Sequence, residues 1–508
     1  MAQQKKQWIA IIMMFFLFAM IAFVTNLCTP MATIVKNQFG ASEAAGQIGN
    51  YANFIAYLLM GIPSGMLISK FGYKKTALMA LIVGMVGLAL EYFSGTLESY
   101  WVYLAGAFIS GLCMCMLNTV VNPLLNVLGG GGKTGNQFIQ IGGAFNSAAA
   151  VAVYILMGAL IGEVTKRTGI SDATPALAIA GGVFVVAFII LLFTKINEPE
   201  QAKVETKLIS GALKHRHFAL GALAIFLYMS VEVGTPTYMA SYLSADTPEA
   251  IDSKVALLKR FDSLSDKEKE NDSIKTEIAK QYVAIRTNVD SIMASDNEDK
   301  KLDIQDEIKQ VKEDINNGTI TAEKIKKSPT GVGISAEIAL LIAAVYWLMM
   351  FIGRSIGGSI GGKVSSRAMV STVAILAIIL IGFGIFAPTD MTINVPGIKW
   401  ANLSVVWTKV PICILTFILV GLCTSVMWGG IFNMAVEGLG KYTAAASGIF
   451  MTMVFGCAVM VFVQAKVADS VGYLNSYFIP LACAAYILFY ALIGSRPSKK
   501  TEVEETAE

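Results

Sequence analysis

Ten stretches of 15 to 34 residues in this sequence contain no Asp, Glu, Lys or Arg, and two further stretches contain a single charge each. A helix needs about 20 predominantly apolar residues to cross the hydrocarbon core of a bilayer. Only 15% of the residues are charged and the mean hydropathy is +0.62, whereas soluble globular domains carry about 25% charged residues. The pattern therefore predicts an all-α membrane protein with many spans rather than a series of soluble domains.

Twelve membrane-spanning helices are predicted from these stretches. The ten uncharged ones are 7–35, 44–69, 76–90, 99–132, 134–162, 173–194, 368–389, 410–436, 442–465 and 470–495. The other two are 217–244, which contains Glu232, and 338–362, which contains Arg354. We therefore predict four parts, which are a six-helix bundle at 1–194, a cytoplasmic linker at 195–216, a second six-helix bundle at 217–495 and a cytoplasmic tail at 496–508.

The two bundles are expected to be related by an internal repeat. A shift of 293 residues places Gly65 on Gly358 and Lys70 on Lys363, in both cases around the connection between the second and third spans of a bundle. Parallel six-helix repeats are typical of secondary transporters, whose substrate site lies near the bilayer midplane between the repeats.

Lysine and arginine in the short loops predict the orientation of the chain. They precede span one and follow spans two, four, six, eight and ten, for example at Lys70, Lys133 and Lys363. Cytoplasmic loops carry the excess of positive charge, so both termini are expected to be cytoplasmic in a multi-pass protein of a bacterial-type inner membrane. Lys166 and Arg167, after span five, are exceptions to this pattern.

One polar segment interrupts the second bundle. Residues 246–328 hold 34 of the 75 charged residues, and because they follow span seven, the insertion at 245–334 is expected on the outer side. Apolar residues recur within it every three or four positions, as at Val255, Leu258 and Phe261, which predicts two or three amphipathic helices. The insertion is interpreted either as a solvated accessory cap or as a segment that docks a periplasmic partner or captures substrate.

Glu232 is the most informative residue of the predicted spans, because an intramembrane charge is costly and usually has a function. It lies about 14 residues into span seven, roughly 21 Å along a helix. A carboxyl group in this environment can lose its charge by binding a proton, which makes Glu232 the candidate coupling residue. Arg354 in span eight is its candidate partner, and a static ion pair between the two is the alternative.

Amide and aromatic side chains within the spans are the candidate ligand-binding residues. Amides provide both hydrogen-bond donors and acceptors, as a polyhydroxylated ligand requires, and aromatic rings offer apolar faces to a sugar ring. The predicted substrate-binding residues are Asn26, Asn118, Asn122, Gln140, Asn146, Tyr228, Glu232 and Trp428. For each of them, packing or bonding between helices is the alternative interpretation.

Several other functions are not expected from this sequence. Metal-ligand spacing is not found, so we expect neither a metal, a resident cofactor nor an enzymatic activity. The net charge of +3 suggests no nucleic-acid partner. Residues 129–134 read Gly-Gly-Gly-Gly-Lys-Thr, but Val127 stands where a phosphate-binding loop needs glycine, so these glycines are expected to form a tight turn.

Glycines at intervals of four residues predict close contacts between membrane helices. Stripes of small residues allow helix backbones to approach each other in a bilayer. The stripes are formed by Gly61 and Gly65 and by Gly353, Gly357 and Gly361.

Short motifs occur in a recognisable order along nearly all of the chain except the insertion. They are Ile62-Pro63-Ser64-Gly65, Phe71-Gly72-Tyr73-Lys74, Asn122-Pro123, Phe145-Asn146-Ser147, Tyr228 with Glu232, Gly353-Arg354, Trp428, Ile431-Phe432, Gly438-Leu439-Gly440 and Asp469. In this order the chain resembles the major facilitator superfamily, and within it the fucose–galactose–glucose:proton symporter family. The resemblance implies a twelve-helix transporter that gives alternating access to a central sugar site.

Three positions depart from the pattern of that family. Asn26 and Asn118 stand where the family has acidic residues that serve proton coupling and sugar recognition, and Gly143 stands where it has a sugar-contacting glutamine. Because amides cannot exchange protons in that way, the resemblance leaves Glu232 as the candidate site for a co-transported proton or sodium ion. We therefore expect uptake of a monosaccharide or sugar derivative, with an uncoupled sugar facilitator or an exporter of small metabolites or drugs as alternatives.

Overall fold

A computed structural model describes residues 7–39, 43–161, 170, 173–196, 198, 206–295, 298–399 and 404–497 of the chain. Lys166, Arg167, part of the predicted linker and most of the predicted tail lie outside the described residues. The same holds for the first six residues, so the predicted orientation of the two termini stays a prediction.

Five long helices form the first half of the chain. They are α1 (Trp8–Phe39), α2 (Glu43–Thr96), α3 (Tyr100–Leu128), α4 (Gly132–Ile161) and α5 (Thr174–Phe193). Gly72 divides α2 into two spans, because its φ of +83° lies outside the helical range. Gly130, Gly131 and Gly132 also have positive φ and form the tight turn predicted between α3 and α4.

Span seven begins the second half and contains a break. The short helix α6 (Thr206–Lys214) precedes α7 (Arg216–Met229), a π-helical turn at Ser230–Gly234 and α8 (Thr235–Ser244). Pro236 has no N–H, so the regular helical bond to the carbonyl of Glu232 cannot form. The interruption of the helix therefore lies at the charged residue of this span.

The insertion is helical, as predicted, but the number of helices predicted was wrong. Its described residues form six: α9 (Pro248–Asp262), α10 (Asp266–Glu270), α11 (Asp272–Ala284), α12 (Val289–Met293), α13 (Glu298–Asn316) and α14 (Ala322–Lys326). The additional ones are single turns that begin at the capping residues Ser265, Asn288 and Thr321. Apolar side chains of the longer helices, including Val255, Tyr282 and Ile304, form a small core.

Asp246 closes the base of the insertion. Its carboxylate lies 2.7 Å from Lys254 Nζ and 3.3 Å from Arg286 Nε. The carbonyl of Asp246 also accepts a hydrogen bond of 2.7 Å from the N–H of Gly331. The two ends of the insertion are therefore adjacent in space.

The remaining spans follow the insertion. They are formed by α15 (Ala336–Ile360), α16 (Ser366–Phe386), α17 (Cys413–Ala435), α18 (Thr443–Thr452), α19 (Gly456–Val471), α20 (Tyr473–Ser476) and α21 (Phe478–Phe489). A 3₁₀ turn at Met453–Phe455 joins α18 to α19, and a π-helical turn at Tyr490–Gly494 follows α21. Six of the cysteines lie buried and unpaired in the described helices, as expected for small apolar side chains.

The helices account for the predicted spans. Among the described residues, ten helical segments are long and apolar enough to cross a membrane. One of them, Ala52–Thr96, contains two predicted spans because of the break at Gly72. With α4 as span five, the helices correspond to the twelve predicted spans, and the predicted all-helical fold class is confirmed.

A two-stranded antiparallel hairpin between spans nine and ten was not predicted. It consists of β1 (Thr392–Lys399) and β2 (Ser404–Pro411), paired in a register that places Pro396 opposite Trp407. An isolated two-stranded hairpin is at best marginally stable in water. Val395 and Val410 are buried, so packing against the helices supplies the stability that the hairpin lacks alone.

The chain forms two compact units. The larger comprises Met1–Thr237, Leu341–Val463 and Tyr477–Glu508, and the smaller comprises Tyr238–Leu340 with Gln464–Ser476. The larger unit contains helices from both halves of the sequence. The domain boundaries predicted from the sequence stay a prediction.

Candidate functional site

A cavity within the larger unit is lined by residues from both halves of the sequence. Its volume is about 160 Å³, which is well above the ~10–15 Å³ that one water molecule needs and below the ~300–1,000 Å³ of pockets for drug-sized ligands. The lining residues are Phe18, Ile21, Ala22, Thr25, Asn26, Tyr57, Asn118, Ile139, Gln140, Gly143, Asn146, Glu232, Arg354, Ser425, Trp428, Gly429 and Val454.

Six of the eight predicted substrate-binding residues line this cavity. They are Asn26, Asn118, Gln140, Asn146, Glu232 and Trp428. Asn122 and Tyr228 are buried beside it and contact residues of its wall instead. The structure thus brings the predicted set together from α1, α3, α4, α17 and the π-helical turn, and the binding roles themselves stay predictions.

The amides of the first half each make a defined hydrogen bond. Asn118 Nδ2 donates to Tyr57 Oη (2.8 Å), and Asn26 Nδ2 donates to the carbonyl of Ala22 (2.8 Å). Gln140 Nε2 donates across to the carbonyl of Val426 on α17 (3.0 Å). The amides are therefore held in fixed positions, and Gln140 also joins the two halves.

Glu232 and Arg354 form an ion pair at the wall of the cavity. Arg354 Nη2 lies 3.4 Å from Glu232 Oε1, and the two side chains are only 11% and 12% exposed. The pairing proposed from the sequence is therefore present. Hydrogen bonds from Tyr346 and Tyr477 to the carbonyls of Val231 and Thr235 hold the backbone around Glu232, where the π-helical turn interrupts the regular bonding.

Arg354 also binds the first half of the chain. Its Nη1 donates to the carbonyl of Gly143 (3.3 Å), to Asn146 Oδ1 (3.2 Å) and to Ser147 Oγ (2.8 Å), all on α4. The planar guanidinium suits such a role because it presents several donors in a fixed geometry. Arg354 thus contacts Glu232 with one nitrogen and α4 with the other.

Gly143 provides the space that Arg354 occupies. A Cβ at this position would lie 3.3 Å from Arg354 Cδ and 3.5 Å from its Nε. The absence of a side chain at Gly143 leaves room at this position of α4. In the structure, the side chain of Arg354 fills at least part of that room.

Aromatic packing fixes the indole of Trp428 in the cavity wall. Its ring centroid lies 6.1 Å from that of Tyr228 and 5.7 Å from that of Phe450. The indole Nε1 donates to Asn122 Oδ1 (3.3 Å), and Asn122 in turn donates to the carbonyl of Asn118. Asn122 and Tyr228 therefore position Trp428 rather than line the cavity.

Sequence reasoning missed Tyr57 as a residue of the site. It lines the cavity and accepts the hydrogen bond of Asn118, but a single tyrosine in an apolar span gives no distinctive pattern. Arg354 was predicted as the partner of Glu232 and not among the substrate-binding residues. The structure places it in the cavity wall as well.

The two halves also contact each other where the start of α4, at Lys133, meets the turn after α15, at Lys363. We refer to this as the Lys133 end. Asn126 Nδ2 donates to Asn433 Oδ1 (2.7 Å), and Lys133 Nζ donates to the carbonyl of Lys363 (3.2 Å). These bonds join α3 and the start of α4 to the second half.

Glycines make a second contact between the halves, as the stripes predicted. A Cβ at Gly65 of α2 would lie 2.7 Å from the carbonyl of Ala444, and Gly61 is similarly close to the backbone of Gly448, both on α18. Gly358 of α15, which the repeat relates to Gly65, faces Ile141 of α4. Both members of this repeat pair therefore lie at contacts between the halves.

Residues 13–250 match the family model described as Major Facilitator Superfamily. The chain carries a Major Facilitator Superfamily domain. It is also similar to the glucose/galactose transporter of Brucella abortus biovar 1 (strain 9-941), with 24% identity over 502 residues that cover 97% of this chain and 96% of the relative. The putative glucose/galactose transporter of Helicobacter pylori (strain J99 / ATCC 700824) is 22% identical over 501 residues, covering 96% of each chain.

A third relative and the solved structures agree with this assignment. The L-fucose-proton symporter of Escherichia coli (strain K12) is 24% identical over 265 residues, which cover 46% of this chain and 59% of the relative. The crystal structure of a variant of the E. coli fucose:proton symporter, FucP, superposes with a TM-score of 0.68 at 17% identity, covering 97% of this chain and 100% of that chain. The fold is therefore the major facilitator fold, and the protein is a multi-pass membrane transporter and not an enzyme.

Proposed function

We propose that this transporter takes up a monosaccharide or sugar derivative by alternating access, with cation coupling at Glu232. The observation that carries the proposal is the Glu232–Arg354 pair, which reaches a cavity lined by amides of one half and an indole of the other. The relatives that match over almost the whole chain are named glucose/galactose transporters, which supports a ligand of hexose size.

The chemistry of the cavity favours a small polyhydroxylated ligand. Asn26 and Asn118 of the first half contribute amide groups to the cavity wall, and Trp428 of the second half contributes an indole. Hydroxyl groups can both donate to and accept from amides, while the carbon-bound face of a sugar ring can lie on an indole. A drug exporter, the alternative from another class, is expected to have a larger and more apolar cavity.

Protonation of Glu232 is the proposed coupling event. Arg354 binds Glu232 in the second half and three acceptors on α4 in the first half. Loss of the negative charge on Glu232 weakens the attraction on one side of the guanidinium and leaves it free to bind α4 or ligand hydroxyl groups. A proton is favoured over sodium because the guanidinium repels a metal ion bound to the same carboxylate.

We further propose that the Lys133 end of the helices faces the cytoplasm of a bacterial inner membrane. Lys133 in the first turn of α4 and Lys363 just after α15 lie at this end, in agreement with the positive-inside rule. The insertion between spans seven and eight is then periplasmic. A periplasmic partner for the insertion is kept as a separate proposal, which deletion of the insertion tests below.

Uptake of radiolabelled glucose, galactose and fucose into proteoliposomes tests the proposal. Wild type, Glu232→Gln and Glu91→Gln are compared under an imposed proton gradient, a sodium gradient and no gradient. Glu91 is a matched control because it is a buried carboxyl of a membrane helix that bonds to Ser110 and does not line the cavity.

We expect proton-driven accumulation of at least one sugar by wild type and Glu91→Gln. Glu232→Gln should still equilibrate the sugar without accumulating it. Equal equilibration by all three proteins without accumulation would exclude coupling and leave a facilitator. Movement of no sugar by wild type would favour the exporter.

A further inference from the structure

The β1–β2 hairpin carries an apolar outer face. Val405 and Trp407 are 52% and 66% exposed, whereas the intervening Val406 and the following Thr408 are partly buried. Successive side chains of a strand point to opposite faces, so Val405 and Trp407 share one face. Their cross-strand partners on that face are Ile398 and Pro396, which widen the apolar area.

The other face of the hairpin packs on span eight. Gly397 of β1 is buried, and a Cβ there would lie 3.2 Å from Leu341 Cβ and 3.5 Å from Ile342 Cγ1. Both residues belong to α15, within its apolar membrane-spanning segment Ile338–Ile360. Gly397 pairs with Val406, the neighbour of Trp407. The middle of the hairpin is therefore at the level of the apolar segment and does not project far from it.

The span that precedes the hairpin also carries exposed apolar side chains. On α16, exposed apolar side chains recur at intervals of three and four residues and end six residues before β1. They are Ile375, Ile379, Phe383 and Phe386. The N–H of Ile412 donates to the carbonyl of Met391 (2.9 Å) and closes the base of the hairpin beside the ends of these spans.

We propose that the hairpin is a membrane-binding element whose Val405–Trp407 face lies in the interfacial layer between lipid headgroups and acyl chains. Tryptophan is enriched at this layer, because its ring is mostly apolar and its N–H can still reach polar groups. Lys409 lies on the same face as Trp407 and is exposed, so its ammonium group can reach the headgroup phosphates. Lipid contact on one side and α15 on the other hold the start of the helix that carries Arg354.

Site-directed spin labelling tests the proposal in the full-length protein, reconstituted in nanodiscs of phosphatidylcholine and phosphatidylglycerol. Single cysteines are introduced as Val405→Cys, Trp407→Cys and Val406→Cys, and collision rates with oxygen and with a water-soluble nickel chelate are measured. Ile379→Cys serves as the lipid reference and Glu307→Cys, exposed on α13, as the aqueous reference. The unmutated protein measures any labelling of the native cysteines.

We expect labels at 405 and 407 to resemble the label at 379, with frequent oxygen collisions and at least about fivefold fewer nickel collisions than at 307. The label at 406 should be shielded from both reagents. Nickel collisions at 405 and 407 as frequent as at 307 would show a hairpin in water and overturn the proposal. Shielding from both reagents at 405 and 407 would show protein cover, such as a second copy, and would overturn it equally. If Trp407→Cys does not yield monodisperse protein, the label at 405 alone distinguishes these outcomes, because Val405→Cys is a smaller change.

Discussion

Arg354 Nη2 lies 3.4 Å from Glu232 Oε1, and this pair joins the break in span seven to α15 within the cavity wall. The same guanidinium donates to three acceptors on α4, which belongs to the other half of the chain. The side chain of Arg354 therefore depends both on the charge of Glu232 and on the distance between the two halves. A transporter with alternating access needs such a link between the binding site and the arrangement of its halves.

Replacing Arg354 by lysine should reduce sugar uptake at least about tenfold. Lysine keeps the positive charge but cannot hold Glu232, Asn146 and Ser147 in one fixed fork, and a hydrogen bond to a charged group is worth about 1.5–3 kcal/mol. Uptake in proteoliposomes measures the effect. Arg367→Lys is the matched control, because Arg367 bonds to Ser495 and does not line the cavity. Equal uptake by both variants would contradict a role of the guanidinium geometry.

A bulky side chain at position 143 should act through Arg354. Gly143→Leu fills the space beside Arg354 Cδ, so the guanidinium is displaced from α4 and transport is expected to fall about as far as in Arg354→Lys. The double variant should lose little more than either single variant, because residues in contact are not independent. Gly182→Leu is the control, since a Cβ there meets nothing within 4 Å. Additive losses in the double variant would argue against the link.

Adding bulk at Gly65 should separate the halves at the Lys133 end. A Cβ at Gly65 already lies 2.7 Å from the carbonyl of Ala444, so Gly65→Leu has no room unless α2 and α18 move apart. Spin labels at Lys133→Cys and Lys363→Cys, both exposed, report the change as a longer distance in pulsed EPR. Gly382→Leu on α16, where a Cβ meets nothing within 4 Å, should leave the distance unchanged. An unaltered distance in Gly65→Leu would refute this account of the contact.

Glu198 should stabilise the start of span three. Its carboxylate accepts hydrogen bonds from the backbone N–H groups of Tyr73 (2.6 Å) and Lys74 (2.8 Å), just after the break at Gly72. Glu198→Gln keeps the size of the side chain but removes the negative charge at the helix N-terminus, so we expect a loss of about 1 kcal/mol and a lower melting temperature. Glu307→Gln, on the exposed surface of α13, should leave the melting temperature unchanged.

Removal of the insertion should leave a folded transporter. The carbonyl of Asp246 and the N–H of Gly331 are hydrogen-bonded at 2.7 Å, so a short Gly-Ser linker can replace residues 248–330 without separating the flanking helices. The insertion also has a core of its own. We expect monodisperse protein with sugar uptake within about threefold of wild type. Normal folding with complete loss of uptake in cells, but not in proteoliposomes, would instead support a periplasmic partner.

Sequence patterns reveal the membrane spans and their polar residues better than they reveal the β1–β2 hairpin. Hydrocarbon tolerates few charges and only fully bonded backbone, so the spans appear as long stretches with at most one charge, and the few polar residues within them are conspicuous. Glu232, Arg354 and the amides of α3 and α4 could be named for this reason. The β1–β2 hairpin could not, because eight-residue strands that pack on one face and are exposed on the other give only a short, weak alternation.

The order of spans and the candidate polar residues followed from the sequence, because each depends on the chemistry of a single segment in lipid. Which of these residues meet depends on how the two halves pack, and only the tertiary structure decided it. Asn122 and Tyr228 thus support Trp428 instead of lining the cavity, Tyr57 joins the wall, and the side chain of Arg354 occupies the space beside Gly143. A contact between residues far apart in the sequence leaves no periodicity in either segment, so no local pattern could have shown it.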